Sequence, residues 1–302
     1  MVDVIIPVYR PKASFQEILR RLNRQSVCPQ RIIIINTEEQ FWNPQLIKGI
    51  YQVEVYHIKK AEFDHAATRR MAAELSQAEY MMFLTQDAYP ADSHLIEYLL
   101  QALQEKEVVG AFARQLPRKD ANPIEQYTRI FNYPPESFVR SKADIAKLGI
   151  RAYFFSDVCA VYRKEDYLLL GGFVERAIFN EDMLFAAKAL ENGKKIAYAA
   201  DAKVYHSHNY KNLQYLKRNF DLGVSQAKHQ EVFSQVSSEK EGTALVIKTA
   251  RYLLKTGKAV YLPKLISSSG FKWLGYKLGK NYQRLSKRVI RKLTLDPTYW
   301  KD

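Results

Sequence analysis

Cysteine is nearly missing from this chain. Of 302 residues only Cys28 and Cys159 are cysteines, and their spacing suits no metal cluster. That excludes a disulfide scaffold and a cysteine-bound zinc site, and it points to a reducing cytoplasm. Long apolar runs are also missing. None approaches the ~18 uncharged residues of a spanning helix. The opening MVDVIIPVYR has no basic lead and no cleavage site, so no signal peptide is expected. Acids are scarce in one region only. From Lys240 to Asp302 there are 15 Lys/Arg against 3 Asp/Glu, whereas the first 239 residues hold 31 and 29. A nearly neutral body therefore carries a strongly basic tail, and most of the formal net charge of +14 sits there. Such a tail suits an anionic partner, either nucleic acid or a lipid surface.

What is present points to a sizeable folded core. Apolar residues make up 47% of the chain, too many for a disordered protein. VDVIIPVY, RIIIIN (31–36), VEVYHI (53–58), YMMFL (80–84) and VVGAFARQ (108–115) have the apolar, β-rich character of buried strands. Between them lie helical patterns. Phe15, Ile18, Leu19 and Leu22 share one face. Met71, Ala72 and Leu75 share another within residues 67–75, and Asp92 or Ser93 can cap a helix running to Leu103. Alternating strands and helices imply an α/β fold, with a mostly parallel sheet covered on both faces. Residues 116–149 contain four prolines and suit long loops with short helices. AYFFSDVCAVYR (152–163) suits a further strand. Asn180 can cap a helix over 181–192, with Gly193 just past its end. The composition changes near residue 239, which divides the chain into 1–239 and a basic helical tail, 240–302.

Ligands of such sheets bind beyond the carboxyl ends of the strands. In FLTQDAYP the strand stops at Thr85-Gln86-Asp87, which puts Asp87 on that rim. A carboxylate there can ligate a metal, take a proton or form a turn. Glu181 and Asp182 open a helix, where the dipole favours the ionised form; simple capping is the alternative. His206 and His208, two apart after a short strand, suit ligation, or are surface histidines.

Taken in order, VIIPVYR, TQDA, GGF, ED and VYH resemble family 2 glycosyltransferases of the glycosyltransferase-A fold. EFDHAATRR, FLTQDAYP, FSDVCAVYR and YHSHNY resemble the rhamnosyltransferases of bacterial surface polysaccharides within that family. The resemblance runs from about Val2 to Tyr210. It implies an inverting glycosyltransferase with Asp182 as catalytic base and Glu181 as a neighbour that caps or positions. Pro7, Tyr9 and Arg10 would lie beside the nucleotide, Thr37 and Glu38 near the base, and Gln86 and Asp87 near the phosphates. Arg69 would pair with phosphate oxygens or be a solvated helix residue. Asp87, His206 and His208 would hold Mn²⁺ or Mg²⁺, which stabilises the charge developing on a diphosphate leaving group. Thr85 stands where relatives carry the first acid of D-x-D, Ala66 where many have Gly, and Arg70 where many have Asn.

The implied donor is a nucleotide sugar, dTDP-β-L-rhamnose, and the implied acceptor a lipid-linked glycan in polysaccharide synthesis. The alternatives are another sugar nucleotide on the same fold, or a catalytically silent glycan-binding scaffold. Within the tail, Leu278, Tyr282, Leu285, Val289 and Leu293 fall on one helical face of 277–293. Lys277, Lys280, Arg284, Lys287 and Arg291 fall on the other. This pattern suits peripheral attachment to the inner, anionic face of the cell membrane; packing on protein is the alternative. With no nucleic-acid motif in the first domain, no nucleic-acid partner is expected. The sequence leaves homo-oligomerisation open.

Overall fold

The computed structural model describes residues 1–233 and 238–300. Nine strands form one sheet: β1 (Val2–Tyr9), β2 (Arg31–Thr37), β3 (Val53–Ile58), β4 (Tyr80–Leu84), β5 (Tyr89–Pro90), β6 (Val108–Leu116), β7 (Phe138–Arg140), β8 (Cys159–Arg163) and β9 (Lys195–Tyr205). Their order is β3-β2-β1-β4-β8-β6-β9-β5, and β7 also pairs with β9. The helices are α1 (Phe15–Leu22), α2 (His65–Leu75), α3 (Leu95–Gln101), α4 (Pro123–Asn132), α5 (Ile145–Leu148), α6 (Lys164–Leu169), α7 (Glu181–Glu191), α8 (Asn212–Lys228), α9 (Gln230–Phe233), α10 (Ser238–Lys255), α11 (Leu262–Lys280) and α12 (Lys287–Leu293).

The chain divides into two compact units. The first comprises Met1–Leu116, Tyr133–Arg176 and Glu181–His206. The second comprises Pro117–Asn132, Ala177–Asn180 and Ser207 onward. The composition change near residue 239 falls in the first turn of α10.

The first unit holds the sheet. The β-branched runs of β1 and β2 pair in parallel, as do β2 with β3 and β1 with β4. Side chains alternate across the sheet. Val4, Ile6, Ile34, Met82 and Leu84 pack with Phe15, Ile18, Leu19, Leu95 and Leu99 of α1 and α3. Phe83 faces the other way, within 5.7 Å of Tyr162 and 5.5 Å of Phe173 by ring centroids. The five expected strands and α1 stand where the apolar runs and the apolar face place them. In 152–163 only Cys159–Arg163 is strand; Gly149–Tyr153 is a 3₁₀ helix and the rest a loop. Helix α2 starts earlier than the pattern implied, because the Asp64 carboxylate accepts from the N–H groups of Ala66 and Ala67 (2.9 and 3.0 Å). Its buried side is Ala66, Arg69, Ala72 and Ala73, while Met71 and Leu75 remain half-exposed. Alanines let the helix approach closely, and that closeness is what buries Arg69.

In the second unit α8 and α11 cross at three glycines. A Cβ on Gly275 would collide with the Leu216 carbonyl oxygen, one on Gly279 with that of Phe220, and one on Gly223 with that of Tyr276. The expected continuous helix over 277–293 is not formed. Helix α11 ends at Lys280, a 3₁₀ turn covers Tyr282–Arg284, and α12 starts at Lys287. Leu278, Tyr282, Leu285 and Leu293 pack against Ile178, Phe220, Val224, Ile290 and Tyr299. Four of the five apolar positions expected on that face are spent on the unit's own core, while Val289 stays 40% exposed.

The glycine crossing gives a direct test. Gly275→Ala or Gly279→Ala should lower stability by about 1–3 kcal/mol through overpacking. Gly270 has open space at its Cβ position, so Gly270→Ala should be neutral or slightly stabilising by helix propensity. Urea unfolding of the three variants measures this; equal effects at all three positions would refute the close crossing.

Candidate active site

Strand directions decide which chain ends share the working rim. Since β1, β2 and β4 are parallel, Tyr9, Thr37 and Leu84 finish at one edge. Strand β8 runs antiparallel to β4 with Cys159 opposite Leu84, so its beginning lies at that same edge. Strand β6 is antiparallel to β8 and parallel to β9, which brings the end of β9 there too. Every site residue below, except His208, belongs to the first unit.

Asp87 follows β4 and precedes the two-residue strand β5. That strand pairs antiparallel with the end of β9, Tyr89 against Tyr205 and Pro90 against Val204. Asp87 and His206 therefore project beyond one end of the same pairing, with Asp87 Oδ1 3.6 Å from His206 Nε2. The other ring nitrogen, Nδ1, lies 2.9 Å from Gln115 Oε1. The Gln115 amide nitrogen donates to the hydroxyls of Tyr133 and Ser156. With the amide oxygen facing the ring, Nδ1 carries the proton, and Nε2 turns its lone pair toward Asp87. A carboxylate oxygen and an imidazole nitrogen at that spacing form an ion pair when the ring is protonated, and both are atoms that can ligate a metal. His208 begins the second unit, two residues along the chain. Its N–H donates to Glu125 (3.4 Å) and its ring stacks on Tyr210 at 4.8 Å.

A second cluster surrounds Arg69. Its guanidinium sits 3.0 Å from Glu181 and 3.4 Å from Asp157, and all three side chains are buried. Arg69 is thus not a solvated helix residue; its guanidinium faces two internal carboxylates. Tyr162 donates its hydroxyl to Asp157 (2.5 Å). The Asp157 N–H in turn donates to Asp182 (3.1 Å), whose other oxygen accepts from the Met183 N–H (2.7 Å). Three carboxyls share one guanidinium, so their charges compete. Burial first, and then the Glu181 charge, push Asp182 up to about 7. Burial holds the Asp157 carboxyl well above the usual range, against the pull of Arg69.

The remaining rim residues frame a polar shelf. Pro7 lies in β1 opposite Ile35, and the β1–β4 ladder stops before it, at Ile5–Phe83. Proline has no N–H to continue such a ladder. Beyond it the Gln86 amide takes over, accepting from Tyr9 N–H (3.0 Å) and donating to Tyr9 C=O (3.1 Å). Arg10 adopts φ 49° and lies over the rings of Tyr9 and Phe41 at 5.1 and 4.1 Å. Thr37 is buried at the end of β2. Glu38, at φ 68°, accepts from the Lys60 backbone N–H and from the Gln40 side-chain amide.

Residues 3–169 match the family model described as glycosyl transferase family 2. The chain belongs to glycosyl transferase family 2. It is a glycosyltransferase, and it is 36% identical over 303 residues to the O-antigen chain rhamnosyltransferase RfbN of Salmonella typhimurium, covering 99% of this chain and 96% of that protein. The O-antigen chain rhamnosyltransferase WbaN of Salmonella anatum is likewise 36% identical, over 98% of this chain and 95% of its own. Among solved structures, a mannosyltransferase from Pyrobaculum calidifontis in complex with GDP-Man and Mn²⁺ has TM-score 0.63 and 13% identity. It covers 94% of this chain and 88% of its own. Residues 1–349 of S. aureus TarS with UDP-GlcNAc have TM-score 0.54 and 14% identity, covering 94% and 91%. These likenesses show the glycosyltransferase-A fold that the family resemblance implied.

Two residues central to this glycosyltransferase site were missed by sequence reasoning. Asp157 sits in FFSDVCAVYR, before an antiparallel strand, so a rule about carboxyl ends passes over it. Gln115 ends an apolar strand, and the only hint is a polar residue in a buried run.

The raised Asp182 has a consequence for stability. In the unfolded chain it ionises near 3.8, in the folded chain near 7. Its ionisation therefore opposes folding, and stability is lost as pH rises through that window. Asp182→Asn removes the titration. It should gain about 1–3 kcal/mol relative to the parent between pH 4 and pH 8, read from urea unfolding at both pH values. A difference independent of pH would refute the shifted carboxyl.

Proposed function

We propose that this glycosyltransferase is an inverting rhamnosyltransferase. It moves L-rhamnose from dTDP-β-L-rhamnose to a lipid-linked glycan during synthesis of a cell-surface polysaccharide. It works at the cytoplasmic face of the membrane, with catalysis in residues 1–239 and attachment through residues 240–302. The observation that carries this reading is the 36% identity, over nearly the whole chain, to two O-antigen chain rhamnosyltransferases.

Asp182 is the general base. The acceptor hydroxyl oxygen attacks the anomeric carbon, its proton passes to an Asp182 oxygen, and the carbon–oxygen bond to the diphosphate breaks on the opposite side. A carboxylate poised near 7 is well matched to that transfer at neutral pH. Arg69, Asp157 and Glu181 hold Asp182 in place through the Asp157 N–H and the first turn of α7. Tyr9, Arg10, Thr37 and Glu38 line the nucleotide's place, with Pro7 and Gln86 shaping it. Asp87 and His206 suit a divalent ion, Mn²⁺ or Mg²⁺, with His208 as a further donor. An imidazole in the set favours Mn²⁺. When bound, that ion would offset charge on the departing diphosphate.

Activity should fall about tenfold per pH unit below roughly 7 as Asp182 gains its proton, and Asp182→Asn should lower kcat at least a hundredfold with donor affinity kept. Pre-steady-state and steady-state assays across pH 5–9 measure both; turnover within a fewfold of the parent would remove Asp182 as base. Separately, Asp87→Ala should abolish the Mn²⁺-dependent part of dTDP binding in calorimetry. Unchanged affinity would reject Asp87 as ligand. NMR of the product should show an α-linked rhamnose. A β-linkage would rule out inversion, and turnover only with another sugar nucleotide would rule out the rhamnosyl donor.

A further inference from the structure

Val289 and Leu295 are exposed at and just after the stretch that the sequence pattern singled out (40% and 50%). The larger exposed apolar group of the basic tail lies earlier, in α10, the 3₁₀ turn Ala259–Tyr261 and α11. Leu254 and Trp273 are 59% exposed, Ile266 71% and Val260 82%; Phe271 and Leu274 are also exposed. At 100° per residue, Ile266, Gly270, Trp273 and Lys277 form one stripe of α11. It lies opposite the stripe of Ser268, Gly275 and Gly279, which is buried where α11 crosses α8. In α10, Leu253 and Thr249 are buried while Leu254 and Arg251 point away.

The charge around these residues has one sign. No Asp or Glu occurs from Gly242 to Leu295, and eight Lys/Arg fall between Ile247 and Lys280. Lys248, Arg251, Lys255 and Lys264 are exposed. No helix among the described residues is long and apolar enough to cross a membrane.

We infer that the outer side of α10, its following turn and α11 is a docking surface for an anionic lipid bilayer. Leu254, Val260, Ile266 and Trp273 enter the headgroup–acyl boundary, and the surrounding lysines and arginines meet the phosphates. Two other occupants fit less well. A second copy would set two strongly basic surfaces face to face. A nucleic acid offers phosphates but no hydrocarbon for Val260 and Ile266. Aromatic side chains such as Trp273 settle at the headgroup level, and basic groups near an anionic leaflet add reversible attraction. The inference deepens the reading of a lipid-linked acceptor and rests on it for its biological sense.

The test uses the full chain and vesicles of phosphatidylethanolamine with phosphatidylglycerol, against vesicles of phosphatidylcholine alone. The parent should co-sediment with the anionic vesicles and lose most of that binding in high salt. Lipids brominated near the headgroup should quench its tryptophan fluorescence, and Trp273→Phe should remove the quenching. Ile266→Asp combined with Trp273→Asp should lower vesicle binding at least tenfold with an unchanged melting temperature, because both positions are exposed. Arg284→Gln with Arg288→Gln, outside the surface, should cost no more than about twofold. Vesicle binding unaffected by the aspartates would overturn the proposal, as would quenching that survives Trp273→Phe. So would a concentration-dependent dimer, seen by sedimentation velocity, that the aspartates abolish. Vesicle binding is read without any sugar transfer. Binding with no rhamnosyl transfer would end the catalytic reading and leave the surface standing; transfer to a soluble acceptor analogue without binding would do the reverse.

Discussion

A buried guanidinium is the constraint from which the site takes its shape. Alone, Arg69 in the interior would cost far too much to keep charged, and so would Asp157 or Glu181. Together they hold three separate pieces of chain: helix α2, the loop ahead of β8, and the first turn of α7. The alanine side of α2 admits the arginine, and the tyrosine hydroxyl of Tyr162 fixes Asp157 from below. Only with Asp157 fixed does its peptide N–H point at Asp182. The excess of carboxylate over guanidinium then sets how readily Asp182 holds a proton. Packing and electrostatics are one problem here, and a single buried guanidinium answers it.

Much of the sheet was legible in the sequence because its strands are fully buried. Runs such as VDVIIPVY and RIIIIN have no amphipathic alternative, and Phe15, Ile18, Leu19 and Leu22 suit only a helix. The rim followed from the sense of the strands, and Asp87 was identified on it; His206 was identified as a possible ligand, and the pairing of β5 with β9 brings it there. What escaped was whatever depends on pairing between distant segments. Nothing local in SDVCAVYR says that this strand runs against β4, yet that direction alone carries Asp157 to the rim. Gln115 acts through the tautomer of a histidine 91 residues away. The apolar face of 277–293 was genuine, but periodicity cannot tell a face that meets lipid from one that meets its own core. The solvated reading of Arg69 failed for a related reason: a basic residue among alanines looks solvated until its partners are known.

The run from Thr85 to Pro90 joins several of these threads. Pro7 ends one ladder, Gln86 stands in for the missing peptide against Tyr9, and β5 then borrows the end of β9. The backbone pairing thereby places Asp87 and His206 together, and the Gln115 side chain then orients the His206 ring. A strand of two residues is enough for this purpose.

The same short strand lies at an outer margin of the sheet. Among the described residues, two fragments lie beyond β9, β5 with two residues and β7 with three, each bonded to a different part of it. Pro90 has no N–H to offer, and neither fragment is long enough to template another chain. At the opposite margin β3 carries Glu54 and His57 in a strand that is half-exposed. A nine-stranded sheet with unguarded sides would invite stacking of one molecule on the next. Here the pairing that brings a carboxylate and an imidazole together also denies neighbouring molecules a place to add a strand, so protection against aggregation comes from the same rim.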